Sequence, residues 1–167
     1  MKTQHTHDME RLWSALVLMR ELHSGQTDKC GQPYWIHPFT VAINQLMIPI
    51  DSQDVSKAIV GLMHDVLEDT DITEQELLRR FPMKIDEVEA LELLTRKDGV
   101  SYDDYITSII KSENKIAIFV KLYDLIHNSS LDRLREAGIP ITDKDRSRTE
   151  KYKKARDRLL AAIKEFN

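Results

Sequence analysis

The sequence predicts an all-α fold, a bundle of about eight helices with no sheet of consequence, and three observations carry that expectation. Apolar residues recur at three- and four-residue intervals along most of the chain, with little of the alternation that marks strands. Gly and Pro are few, five of each in 167 residues. A composition of 41% apolar and 31% charged residues belongs to a folded helical chain, long enough to bury a core without disulfides.

In chain order, Met9, Leu12, Trp13, Leu16, Val17 and Met19 set a first helix from about Asp8 to Leu22, with His5 and His7 in a flexible terminus before it. It ends at His23-Ser24-Gly25, where Gly25 supplies a left-handed residue and His23 a structural helix end. The polar loop Gln26 to Tyr34 reads as a helix connection that could also line a ligand site. His37-Pro38 opens a helix to about Met47, with Pro38 in the first turn, and Pro49 stops it. Asp51 or Ser52 caps a helix running from Gln53 to about Asp69. Thr73 and Glu76 read as a capping box for a short helix to Arg80. Further helices span Met83 to Leu94, Tyr102 to Lys111 and Ile116 to Asn128. The last, from about Lys144 to Phe166, gathers Tyr152, Ala155, Leu159, Ala162 and Ile163 on one side, while its charged runs read as a solvated face.

Several classes are excluded as expectations. One domain accounts for residues 1–167. A net charge of -4 disfavours a nucleic-acid partner. The single Cys30 allows neither an internal disulfide nor a thiolate zinc cluster, in keeping with a cytoplasmic protein. The start, Met1 to His7, has no signal-peptide core, and no run of about 18 apolar residues is present to span a membrane.

Chemistry concentrates in His64-Asp65-Val66-Leu67-Glu68-Asp69-Thr70, behind the apolar run Ala58 to Met63. On one continuous helix at ~100° per residue, His64, Glu68, Asp65 and Asp69 fall within an arc of ~140°. Carboxylates turned toward a core need a compensating cation. Asp124 and Asn128, four apart, share a face of another apolar helix. His37, His64, Asp65 and Asp124 together make a donor set of two imidazoles and two carboxylates. That set suits Mn²⁺, with Mg²⁺, Fe²⁺ or Zn²⁺ as weaker alternatives. Glu68 and Asp69, one turn on, would orient or deprotonate a water, as in a phosphohydrolase. His127 reads as a packing or supporting residue beside Asp124.

The ordered set Gly31-Gln32-Pro33-Tyr34, His37-Pro38, His64-Asp65, Glu68-Asp69-Thr70 and Lys121 to Asn128 resembles the HD-superfamily hydrolase domain of RelA/SpoT homologues. The resemblance covers about Ala15 to Leu134. It implies an HD-type helical bundle and a stand-alone Mn²⁺-dependent 3′-pyrophosphohydrolase of alarmone nucleotides such as ppGpp, without synthetase activity. It implies metal ligation by His37, His64, Asp65 and Asp124, catalysis by Glu68 and Asp69, and nucleotide contacts by Lys29 and Asn128. The sequence departs from that pattern at Asp28, where the family has a base-stacking Arg, and at Cys30, Leu125-Ile126 and Ser129-Ser130-Leu131. Asp28 could instead accept hydrogen bonds from a base, which leaves adenine alarmones open beside guanine ones. Two alternatives remain open: an HD-type phosphatase of another 2′- or 3′-phosphorylated nucleotide, and a non-catalytic, antitoxin-like metal-bearing protein. The sequence does not set the oligomeric state.

Overall fold

The structure is a computed structural model that describes residues 3–47 and 54–165. Among these residues the chain forms ten helices: α1 (Gln4–Leu22), α2 (Ile36–Met47), α3 (Asp54–Met63), α4 (Val66–Asp69), α5 (Glu74–Arg80), α6 (Ile85–Leu94), α7 (Tyr102–Lys111), α8 (Lys115–Ser129), α9 (Asp132–Glu136) and α10 (Asp143–Glu165). The only extended pairing among them is an isolated antiparallel bridge between Thr27 and Pro33. The all-α expectation holds. Two short helices, α4 and α9, add to the expected eight.

The largest departure is at the central stretch, where one helix was expected through Asp69. α3 stops at Met63, and α4 starts at Val66 with Asp65 as its N-cap residue. The His64 ring explains the stop, because Nδ1 lies 2.8 Å from the carbonyl oxygen of Gly61. A side-chain donor there takes up a carbonyl that the next turn of a continuous helix would use. His64 and Asp65 therefore sit on a turn between two helices, and the single arc drawn for His64, Asp65, Glu68 and Asp69 does not exist.

Smaller corrections follow the same logic. His5 and His7 belong to α1, whose N-cap Thr3 accepts a hydrogen bond from the Thr6 N–H. Thr73 caps α5 by accepting from the Glu76 N–H, but the Glu76 carboxylate turns to Arg79 and leaves the box half made. Asp145 is buried instead of solvated, and Thr142 and Asp145 exchange hydrogen bonds at the start of α10. Pro49, Asp51 and Ser52 lie outside the described residues, as does Phe166.

α3 and α8 form the centre. α3 is buried from Ser56 to Met63, and α8 buries Ile116 to Val120 together with Leu122, Asp124 and Leu125. One apolar cluster joins α1, α2, α3 and α5, including Met19, Ile59, Met63 and Leu77. The other joins α6, α7, α8 and α10, including Ile106, Ile109, Ile118 and Leu159. Gly61 lets α2 approach α3 closely: a Cβ there would lie 3.2 Å from Ala42 Cα. That contact, with α8 packed against both helices, brings the start of α2 beside the end of α3.

Candidate metal centre and adjoining cleft

Three segments converge on one buried point. His37 comes from the first turn of α2, His64 and Asp65 from the turn after α3, and Asp124 from the third turn of α8. His37 Nε2 lies 3.3 Å from Asp65 Oδ2 and 3.3 Å from Asp124 Oδ1. His64 Nε2 lies 3.2 Å from Asp65 Oδ1 and 3.8 Å from Asp124 Oδ1. Donor atoms of His37, His64 and Asp65 all fall within 4.8 Å of one another, the span of a first coordination sphere. His64 Nε2 is fully buried with no hydrogen-bond partner, although it faces two carboxylates. A cation among these four side chains would satisfy it, so the donor set fits a divalent metal.

The electrostatics agree with that fit. Burial opposes charge on His37, yet Asp124 and Asp65 outweigh it and raise the imidazole to about 9. His64 is raised for the same reason against the same penalty. Asp65 and Asp124 are both held low despite burial, Asp65 chiefly by His64 and Asp124 chiefly by Lys121. Negative potential that holds protons on imidazoles will also hold a cation.

Supporting contacts fix these four side chains. Lys121 Nζ lies 2.7 Å from Asp124 Oδ2, and Asn128 Nδ2 donates to Asp124 Oδ1 at 2.6 Å. The Nδ1 atoms of His37 and His127 lie 2.7 Å apart, so one ring donates to the other and leaves His37 Nε2 toward the carboxylates. Burial first, then the charge of His37, lowers His127 to about 4, consistent with a neutral acceptor. Tyr34 reaches over from the loop, its hydroxyl 2.6 Å from Asp65 Oδ2 and 2.7 Å from Asp69 Oδ2.

Glu68 and Asp69 occupy the exposed side. Glu68 Oε1 accepts the Arg96 N–H at 2.5 Å, and Asp69 is linked to Asp65 through Tyr34. A cleft of about 310 Å³ leads outward from His37 and Tyr34, with Lys29, Asn128, Arg133 and Arg148 among its walls. Lys29 and Arg148 both face Asp145 Oδ1, at 3.5 and 2.9 Å. Asp28 is not free to read a base: Oδ1 accepts the N–H groups of Cys30 and Gln32, and Oδ2 pairs with Arg133 at 3.0 Å. Sequence reasoning missed Arg133 and Arg148 as cleft residues, and it had Tyr34 only as the end of a loop that could line a ligand site. Only Tyr34 had a signal, since it stands in the Gly-Gln-Pro-Tyr run.

The site is thus a His, His-Asp and Asp centre on a helical bundle, opening into a cleft walled by Lys29, Arg133 and Arg148. No family model matches the chain. It is 33% identical over 136 residues to a guanosine-3′,5′-bis(diphosphate) 3′-pyrophosphohydrolase of Borreliella burgdorferi, covering 72% of the chain and 19% of that protein. It is 30% identical over 129 residues to the bifunctional (p)ppGpp synthase/hydrolase SpoT of Escherichia coli, covering 72% of the chain and 18% of that protein. The chain thus spans about a fifth of the length of the curated relatives it matches. A solved structure described as a metazoan ortholog of SpoT that hydrolyzes ppGpp superposes with a TM-score of 0.67 at 21% identity, covering 90% of this chain and 85% of that one. That likeness bears out the fold. Over 72% of its length the chain is thus similar in sequence to proteins named as (p)ppGpp hydrolases, in keeping with the resemblance that its motifs carry.

Proposed function

We propose that this chain is a single HD-type, metal-dependent 3′-pyrophosphohydrolase of alarmone nucleotides. The observation that carries the reading is the buried convergence of His37, His64, Asp65 and Asp124 around an imidazole nitrogen with no partner. These four residues would hold the ion, and two imidazoles and two carboxylates with coordination positions left for water suit Mn²⁺, with Mg²⁺, Fe²⁺ or Zn²⁺ as alternatives. When bound, the ion supplies Lewis acidity, lowering the pKa of water and drawing charge from phosphoryl oxygens.

The protein's own residues do the rest. Lys121 neutralises the outer oxygen of Asp124, and Tyr34 ties Asp65 to Asp69, setting the distance between ligand and proton acceptor. Glu68 and Asp69 orient the attacking water and take its proton as its oxygen bonds to the phosphorus on O3′. The O3′–P bond breaks with its electron pair on O3′, which takes back the proton held by the Glu68/Asp69 pair, leaving pyrophosphate and a nucleotide with a free 3′-hydroxyl. Lys29 and Arg148 share the single carboxylate of Asp145, so a net positive charge remains in the cleft for phosphate oxygens. Asn128, bonded to Asp124 at the cleft wall, would meet the ribose and 3′ phosphates.

Among the described residues no helix is long and apolar enough to cross a membrane, which is compatible with a cytoplasmic enzyme acting on a diffusible nucleotide. The test is product identity from a panel of 3′-pyrophosphorylated and 3′-monophosphorylated nucleotides with Mn²⁺. Pyrophosphate release from guanosine or adenosine alarmones is expected. Orthophosphate from 2′- or 3′-monophosphorylated nucleotides alone would replace this reading with a phosphatase, and no turnover of any substrate would leave a binding protein.

A further inference from the structure

We infer that Arg133, pinned by Asp28, is the group that holds the nucleobase, a role resting on the nucleotide reading above. Two ion-pair groups line the cleft and differ in charge. Lys29 and Arg148 share one carboxylate, so that balance is positive and suits phosphate. Arg133 Nη1 meets Asp28 Oδ2 at 3.0 Å, one cation to one anion, so that pair carries no surplus charge to attract an anion.

A charge-paired guanidinium still offers two flat faces, and planar aromatic ligands stack on such faces in a way that a lysine ammonium cannot match. The structure holds that plane in position. Asp28 is itself fixed by the N–H groups of Cys30 and Gln32, at 2.8 and 2.9 Å, so its second oxygen is aimed at Arg133 by the loop. Arg133 comes from α9, more than a hundred residues along the chain, and the ion pair ties loop and helix together at the cleft wall. Arg133 lines the cleft and its side chain remains 38% exposed, so the ion pair with Asp28 leaves part of the guanidinium accessible to a ligand. The base is therefore gripped by stacking, with the carboxylate of Asp28 spent on orienting the Arg. Stacking is tolerant of base identity, which predicts weak discrimination between guanine and adenine.

The experiment compares wild type, Arg133→Ala, Arg133→Lys and Asp28→Asn by steady-state kinetics and calorimetric binding. The probes are guanosine and adenosine 5′-diphosphate 3′-diphosphate, with inorganic pyrophosphate as a base-free competitor. Both Arg133 variants should raise KM and Kd for both nucleotides by about tenfold or more, the loss expected for one stacked base, with kcat much less affected. Asp28→Asn keeps the loop's acceptor oxygen and should give a smaller rise of the same kind. Pyrophosphate inhibition should stay as in wild type, because the competitor has no base. Restored affinity in Arg133→Lys, or weakened pyrophosphate inhibition in step with nucleotide affinity, would show a charge role and overturn the inference. Equal nucleotide Kd in wild type and Arg133→Ala would overturn it whatever the turnover. Wild type that binds nucleotide but releases no pyrophosphate defeats the hydrolase reading instead, and binding then judges Arg133 alone. No nucleotide binding by wild type overturns both.

Discussion

Replacing Lys121 by Met should cost the metal-free protein about 3 kcal/mol, the low end for breaking a buried ion pair. The Lys121 and Asp124 side chains are 14% and 6% exposed and 2.7 Å apart, so water cannot take over for the lost ammonium. The low end applies because His37 Nε2 still stands 3.3 Å from the other oxygen of Asp124 and shares its charge. At about 2–4 °C per kcal/mol for a chain of this size, the melting temperature should fall by roughly 6–12 °C. Thermal unfolding in a chelator measures this directly. Repeating it with Mn²⁺ should show a larger metal-induced gain in Lys121→Met than in wild type, because the ion then compensates a carboxylate that has lost its partner. The double variant Lys121→Met with Asp124→Asn should recover much of the chelated stability, since it leaves no unpaired charge. A single variant that melts within about 2 °C of wild type would refute the electrostatic account, since that is less than the shift from 1 kcal/mol. A double variant no better than the single would refute it too.

Asp65→Ala should lose bound Mn²⁺ on elemental analysis, whereas Glu68→Ala should keep it and lose rate by about 10²–10⁴-fold. Full metal content in Asp65→Ala would defeat the ligand assignment. Tyr34→Phe frees Asp69 from Asp65 and should lower kcat on the order of tenfold with metal content unchanged. Asp145 is held down to about 2 by hydrogen bonds from the Thr142 side chain and backbone. An unfolded Asp titrates near ~3.9, so its contribution to stability is whole above about pH 4 and fades as the pH falls toward 2. Asp145→Asn should therefore be destabilised near neutral pH and converge on wild type at the acid end, measured by denaturant midpoints across pH.

What the sequence disclosed is what local pattern can carry. Helical spacing gave nearly every element within a few residues, as with Tyr102 to Lys111, because one buried face per helix fixes the period. The candidate ligands were legible because His37-Pro38 and His64-Asp65 are short-range motifs and Asp124 is a carboxylate on an otherwise apolar helix. The turn at His64-Asp65 was hidden, since a helical wheel presumes the continuity that the His64 ring interrupts. Contacts between distant residues were also hidden. Asp28 pairs with Arg133, and His37 meets His127 across 90 positions, so no spacing rule links either pair. Asp145 looked solvated because its neighbours in sequence are charged, yet its carboxylate turns back to Thr142 and the cleft cations.

If one metal ion among His37, His64, Asp65 and Asp124 supports pyrophosphate release, titrating Mn²⁺ into the chelated protein should restore pyrophosphate formation from guanosine 5′-diphosphate 3′-diphosphate. The rate should rise linearly and saturate at one equivalent per chain. Pyrophosphate release that is undiminished in chelator, or release that requires more than one equivalent, would contradict that single-ion reading.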